Sequence, residues 1–291
     1  MGKRKEVADV RVDCHIHMVL DGENWQKAIG SHSSGVSEVL VRKNLKTYQD
    51  LGFTYLRDGG DRWGVNALAK RLAPEYGITF RTPLANLCKK GHYGGFIGEL
   101  FGDMSEYSRA VRTHKAAGAD FIKIMISGIM DFNHFGVLSE EGLDSKEIRE
   151  MIHIAHEEGM AVMAHANGSR VVEVAAEGGI DSVEHGAYLH PDVLCAMKEM
   201  GCVWVPTLST LGNIIGRGRF DDRETEKILL SAMGNVKAFA AMGGLLAPGT
   251  DAGAWMVPHG SMTEYQLLQK ALGEDPEPYL RRGIETIQKK F

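Results

Sequence analysis

The side chains with chemical potential in this chain are a few histidines, one lysine and one aspartate, each set in or at the end of a short apolar run. Val12-Asp13-Cys14-His15-Ile16-His17 carries two imidazoles two residues apart. In an extended strand that spacing puts His15 and His17 on one face, with Cys14 and Ile16 on the other. Two imidazoles side by side can hold one metal ion, the plain alternative being that one of them is a satisfied core histidine. Lys123 lies inside the apolar run Phe121 to Ile126, and a lysine is almost never buried unpaired. Its ammonium, with an ordinary pKa of ≈ 10.4, would repel metal ions nearby. Carboxylation of the amine by CO2 removes the conflict and leaves a carbamate with two oxygens able to bridge two cations; the alternative is an ion pair with Asp251 or another acid. Met163-Ala164-His165 and Val183-Glu184-His185 each deliver one further histidine, and Pro248-Gly249-Thr250-Asp251 delivers one carboxylate before a glycine-containing turn.

Elements must exist that bring these groups to one place. Short apolar or β-branched runs recur at 10–17, 53–58, 78–84, 120–127, 160–165, 180–185, 202–206 and 245–251, each reading as a strand. Between them, segments 36–51, 66–76, 104–117, 146–158, 170–177, 191–200, 223–242 and 263–272 show the 3.6-residue period of amphipathic helices. Gly52, Gly118, Gly159, Gly201 and Gly243 fall just past helix ends, where a left-handed cap is wanted. Eight strand–helix units in succession predict an α/β fold of the (β/α)8 TIM-barrel type, a single domain over residues 1–291 with 275–291 as a terminal helix or tail. In such a barrel the active site forms at the C-terminal ends of the strands, and His15, His17, Lys123, His165, His185 and Asp251 sit in or at the ends of the first, fourth, fifth, sixth and eighth strand segments.

Composition narrows the class. The chain has 291 residues, 44% hydrophobic and 24% charged, which excludes disorder, collagen and coiled coil. No apolar run approaches the ~20 residues of a membrane span, and residues 1–10 lack the apolar core of a secretory signal, so a cytoplasmic protein without membrane association is expected. Cys14, Cys88, Cys195 and Cys202 are scattered, suggesting reduced thiols. A net charge of −5 without a basic block argues against nucleic acid and for a small-molecule partner, leaving a homo-oligomer open.

The HxH pair, the lysine of the fourth strand segment, the two single histidines and the final aspartate together resemble the metal-dependent amidohydrolase superfamily. The segments GADFIKIMISG, AHANG, SVEHGAYL and PGTDAG are similar to its imidazolonepropionase-related branch and to the prolidase-like or N-acyl-amino-acid-cleaving enzymes. The resemblance spans roughly residues 10–262. It implies two divalent metal ions, zinc by default, one held by His15, His17 and Asp251 and the other by His165 and His185, with carboxylated Lys123 bridging them. Members commonly carry an accessory β-sandwich beside the barrel; only about a dozen residues precede His15 here and 40 follow Asp251, so a barrel-only form is expected.

The implied reaction is hydrolysis of an amide or peptide-like C–N bond by metal-activated hydroxide, on a dipeptide, Xaa-Pro or N-acyl amino acid substrate. Asp251 would take the proton of the attacking water and pass it to the leaving amine. The loops after the strands supply candidates for substrate contact: His92, which resembles a loop-three histidine of related enzymes, with Tyr93, His134, Tyr188, Trp255 and His259. Arg57 or Arg81 could pair a substrate carboxylate if either points into the barrel mouth. A deaminase, a lactone or phosphoester hydrolase of the same superfamily, and a metal-binding protein that has lost catalysis are the competing readings.

Overall fold

The computed structural model describes residues 11–291. The expectations of a strand starting at Val10 and of a leaderless segment 1–10 therefore lie in part or wholly outside the described residues. The strands are β1 Arg11–Ile16, β2 Phe53–Asp58, β3 Thr79–Arg81, β4 Asn86–Lys89, β5 Glu99–Phe101, β6 Ile122–Met125, β7 Val162–Ala166, β8 Ser182–His185, β9 Val203–Val205 and β10 Leu245–Leu246. The helices are α1 Trp25–Gly30, α2 Glu38–Asp50, α3 Val65–Leu72, α4 Met104–Ala116, α5 Ser145–Glu157, α6 Ser169–Glu177, α7 Pro191–Glu199, α8 Ser209–Gly212, α9 Asp222–Ala241, α10 Thr263–Leu272 and α11 Glu277–Lys290. The expected tail is thus a helix. Among the described residues, no helix is long and apolar enough to cross a membrane.

All the strand pairs are parallel, β1–β2–β3 in one set and β10–β9–β8–β7–β6–β4–β5 in the other. Backbone bonds join the two sets into a ring. On one side the Cys14 N–H donates to the Pro248 carbonyl at 2.9 Å and the Asp251 N–H to the His15 carbonyl at 2.7 Å. On the other, the Asp120 N–H donates to the Thr82 carbonyl at 2.9 Å while its carboxylate accepts the Thr82 N–H at 2.9 Å. The architecture is the α/β TIM barrel that the alternation predicts.

Period-two alternation explains how each strand serves two layers. In β6, Ile122 and Ile124 join the large apolar cluster shared with the helices, whereas Lys123 faces a cavity inside the barrel. Helix α5 meets that cluster with Ile148, Met151, Ile152 and Ala155, the spacing of one helical stripe. A separate cluster of Val12, Cys14, Tyr55, Phe121, Met163, Val205, Ile287 and Phe291 fills the interior below the cavity.

Two expectations need correction. The third strand does not run unbroken from 78 to 84. Pro83 carries no N–H for a ladder, and Leu84 takes a left-handed φ of 66°, so the chain turns and re-enters as β4, which pairs with β6. A short extra strand, β5, then adds to the free edge of β4. Cys14 also departs from the face predicted for it: the β1–β2 register slips between Asp13 and Ile16, so Cys14 packs into the interior cluster while Ile16 joins the outer one.

Candidate active site

Strand β1 and the turn after β10 build the first half of the site. The Nε2 atoms of His15 and His17 lie 3.4 Å apart, and Oδ1 of Asp251 is 3.5 Å from the first and 3.3 Å from the second. A tetrahedral ion with bonds of ~2.0–2.1 Å sets its ligand atoms roughly 3.3 Å apart, so this triangle has the dimensions of a metal face. Its placement depends on local backbone. Asp251 adopts a left-handed φ of 57° and His185 one of 69°, conformations that cost a non-glycine residue energy and cluster at functional sites. Two glycines make room: a Cβ on Gly59 would stand 2.3 Å from Cε1 of His17, and one on Gly249 would stand 2.4 Å from the Val205 side chain and 2.9 Å from Cβ of His15. Asp13 ties β1 to the Asp251 turn by accepting from the Thr250 N–H at 2.8 Å and the Thr250 hydroxyl at 2.6 Å.

The second half comes from β6, β7 and β8. His165 and His185 stand with ring centroids 4.5 Å apart, and His185 lies 5.1 Å from His15. One nitrogen of each ring is already occupied by protein: Nε2 of His165 faces the Gly128 carbonyl at 3.1 Å and Nδ1 of His185 faces the Thr207 hydroxyl at 2.7 Å. That leaves one nitrogen of each for a ligand. The donor atoms of His15, His185 and Asp251 all lie within 4.8 Å of one another. Lys123 is 1% exposed and its Nζ has no hydrogen-bond partner. The alternative of an ion pair between Lys123 and an acid finds no partner within reach among the described residues.

Burial governs the protonation of this cluster. It drives His15 and His185 well below the ordinary imidazole range and lowers His165 to about 3, with Lys123 adding to the effect. The rings are neutral, the form that binds metal. Burial likewise lowers Lys123 to about 8. For Asp251 burial opposes ionisation, but His15 and His17 beside it outweigh that and hold its carboxyl below the usual range.

Beneath the cluster lies a charged pair absent from the expected site residues. Glu184 sets Oε2 2.7 Å from Nδ1 of His15, while its Oε1 accepts from Arg57 at 2.8 Å. Arg57, fully buried, also donates to the Cys14 carbonyl at 2.7 Å and to the Ser182 hydroxyl at 3.1 Å, and its guanidinium lies 4.5 Å from the Phe291 ring centroid. A carboxylate on one histidine nitrogen fixes the tautomer and aims the other nitrogen at the metal. Arg57 therefore does not reach for a substrate. Arg81 pairs with Asp120 and does not line the cavity described below.

The histidines, Lys123 and Asp251 open on a cavity of ≈ 470 Å³, the size of a small-molecule site. Of the residues expected to touch substrate, Tyr93 and Trp255 line it, together with Trp25, Phe96, Phe132, Arg219 and Phe220. His92, His134, Tyr188 and His259 are not in the lining. His134 is exposed and pairs with Asp131, His92 lies 3.7 Å from Glu140, and Tyr188 packs on Phe135. His259 is built into the wall, its nitrogens facing the Tyr48 hydroxyl at 3.1 Å and the Leu20 carbonyl at 2.9 Å, and burial lowers it to about 4. Trp25, Phe96 and Arg219 have no periodic or motif signal in the sequence; only the position of the segments that carry them, after β1, β4 and β9, places them at the mouth.

The donor set suits divalent ions. Orphaned buried atoms, Oδ1 of Asp251 and Nζ of Lys123, point to a group that would complete them. Four imidazoles with a carboxylate are ligands for zinc, and also for manganese, iron or cobalt.

Comparison with known proteins agrees with this construction. Residues 11–270 match the amidohydrolase family. An uncharacterized protein of Mycobacterium tuberculosis (strain ATCC 25618 / H37Rv) is 27% identical over 259 residues, covering 87% of this chain and 65% of the relative. Ochratoxinase of Aspergillus niger is 24% identical over 315 residues, covering 91% and 63%. The chain thus spans 63–65% of the length of these curated relatives. Among solved structures, a Xaa-Pro dipeptidase with methionine bound in its active site superposes with a TM-score of 0.77 at 19% identity, over 96% of this chain and 75% of that one. The A. niger ochratoxinase structure also gives 0.77 at 19%, over 96% and 70%. The family match and the likeness of fold, on a barrel whose strand tips carry this cluster, lead to one conclusion: the chain belongs to the amidohydrolase family.

Proposed function

We propose that the chain is a metal-dependent hydrolase that cleaves an amide or peptide-like C–N bond in a small molecule of the dipeptide, Xaa-Pro or N-acyl amino acid type. The observation that carries the reading is the convergence of His15, His17 and Asp251 beside the unpartnered, buried amine of Lys123. His15, His17 and Asp251 would hold one divalent ion and His165 and His185 a second, with Lys123 between them as a carbamate. Its formation balances as amine plus CO2 giving carbamate plus one proton. The ions, zinc by default, would activate water for attack and polarise the carbonyl.

The remaining work belongs to the chain's own groups. Asp251 accepts a proton at its carboxylate and delivers it to the leaving nitrogen, the general-base then general-acid sequence. Glu184 holds His15 in one tautomer, and Thr207 fixes the orientation of the His185 ring through Nδ1. Tyr93, Trp25, Phe96 and Trp255 supply apolar walls that exclude water and fit the groups flanking the scissile bond. The neighbours named as ochratoxinase and Xaa-Pro dipeptidase lend support to this substrate class.

The test is a turnover screen of metal-loaded protein against dipeptides, Xaa-Pro peptides, N-acyl amino acids, lactones and aminopurines. Release of an amine from one of the first three classes, abolished by a chelator and restored by a divalent ion, is expected. Turnover confined to lactones or to aminopurine deamination would replace the reading with one of its rivals.

A further inference from the structure

We propose that Arg219 is the anchor for a carboxylate carried by the substrate, a guanidinium held on an aromatic shelf in the cavity wall. This rests on the amide-hydrolase reading and adds to it the residue that holds the substrate's anionic end. Arg57 and Arg81 are engaged elsewhere, the first beneath the histidines and the second with Asp120. Among the described residues, Arg219 is the one arginine in the cavity lining.

Three loops build the shelf. Arg219 and Phe220 follow β9, Trp255 follows β10 and Phe132 follows β6, so the shelf stands at the same end of the barrel as the histidine cluster. The Arg219 guanidinium lies 4.5 Å from the Trp255 ring centroid and 5.2 Å from that of Phe220. The two rings are 5.6 Å apart at 85°, and Phe220 packs in turn on Phe132 at 4.9 Å. Stacking holds the plane of a guanidinium while consuming none of its five N–H donors. None of the described acids lies within ion-pair distance of Arg219, and none of its donors has a protein acceptor.

Arg219 is exposed, and its contacts with Trp255 and Phe220 restrict its rotamers and so lower the entropy a ligand must overcome. The planar fork matches a carboxylate through two parallel hydrogen bonds, which a lysine cannot reproduce. The charges lining the cavity sharpen the assignment. Lys123 and Asp251 belong to the metal cluster, leaving Arg219 and Glu23 as the lining lysine, arginine or acidic residues available to the rest of a ligand, and no ion pair joins these two. An acid bound at Arg219 would also have its apolar side chain against Trp255, Phe220 or Phe132.

The experiment uses metal-loaded protein, wild type and Arg219→Gln and Arg219→Lys, with N-acetyl-phenylalanine, N-acetyl-leucine and N-acetyl-methionine and the carboxamide of each. Equilibrium binding is read by calorimetry, and acetate release is measured in parallel. The wild type should bind at least one acid about 10–100-fold more tightly than its carboxamide, the range for hydrogen bonds to a charged group. Arg219→Gln should abolish that preference by weakening the acid alone, and Arg219→Lys should restore only part of it. A preference that survives in Arg219→Gln would place the anion elsewhere, on the metal cluster for example, and overturn the proposal. No carboxylate preference in the wild type for any of the three would also overturn it. Carboxylate binding lost in Arg219→Gln without acetate release from any protein would support the anchor while counting against the hydrolysis reading.

Discussion

Glu184 accepts no proton in the proposed chemistry, yet its carboxylate stands 2.7 Å from Nδ1 of His15 and so decides which nitrogen of that ring faces the cavity. The same carboxylate is the counter-ion of Arg57, with both side chains wholly buried. Orientation of a ligand and neutralisation of a buried cation thus depend on one group, so stability and metal binding should respond together when it is altered.

Arg57→Met should destabilise the fold by about 3–5 kcal/mol, because it strands the Glu184 carboxylate in the interior. Arg57→Met combined with Glu184→Gln should cost less than the sum of the two single changes. Urea unfolding of the four proteins measures this, and strict additivity would mean the pair is not coupled. In the Glu184→Gln protein, metal affinity should fall roughly 10–100-fold, the usual effect of losing a carboxylate behind a ligating histidine.

Gly59→Ala tests how closely the β2 turn is fitted to His17. The backbone there is ordinary for alanine, but the added methyl would stand 2.3 Å from the imidazole. The ring must move, and a displacement near 1 Å at a site of this kind costs about 10²-fold in rate. The expected protein is folded by circular dichroism, binds metal more weakly and has kcat/KM reduced by that order. Unchanged metal affinity would show that His17 is not held where the geometry places it.

Much of this site was legible in the sequence because strands impose a period. His15, His17, Lys123, His165, His185 and Asp251 each lie in or at the end of an apolar run, and the (β/α)8 order brings those runs side by side. Glu184 was not legible, since a polar residue alternating with Val183 also fits a solvent-facing position. Arg219 lies in the stretch Gly216-Arg217-Gly218-Arg219, whose lack of periodicity gives no direction to its side chains. His92, His134 and His259 sit in loops for the same reason, and only packing distinguishes an exposed ring from one built into the wall. The break in the third strand was foreshadowed by Pro83, although the left-handed Leu84 that completes the turn has no mark of its own.

Glu264 offers a pH dependence away from the histidine cluster. Burial raises its carboxyl to about 8, with Oε1 unpartnered and Oε2 accepting the Ser209 N–H at 2.8 Å. Between about pH 4.5 and 8 the native chain holds a proton that the unfolded chain has released. Its contribution is therefore fully present below about pH 4.5 and is lost as pH rises through 8. Glu264→Gln keeps the shape without the titration. Urea unfolding at pH 5 and pH 8 should show the variant gaining stability relative to wild type at the higher pH; parallel behaviour of the two proteins would show that Glu264 is ionised in the fold.

Asp251→Asn retains the shape of the turn and removes the base. Turnover on the best substrate should fall by roughly 10²–10⁴, the range for a positioned proton transfer. A variant that keeps its metal and the wild-type kcat would show that another group moves the proton.

The proposed centre holds two ions joined through Lys123, and elemental analysis of metal-replete wild type and Lys123→Ala side by side counts them. Wild type should carry close to two divalent ions per chain, because the ligand set exceeds what one tetrahedral ion uses. Lys123→Ala should fall toward one while remaining folded. Wild type that saturates at a single ion, or a Lys123→Ala protein that keeps both, would rule out a centre bridged by Lys123.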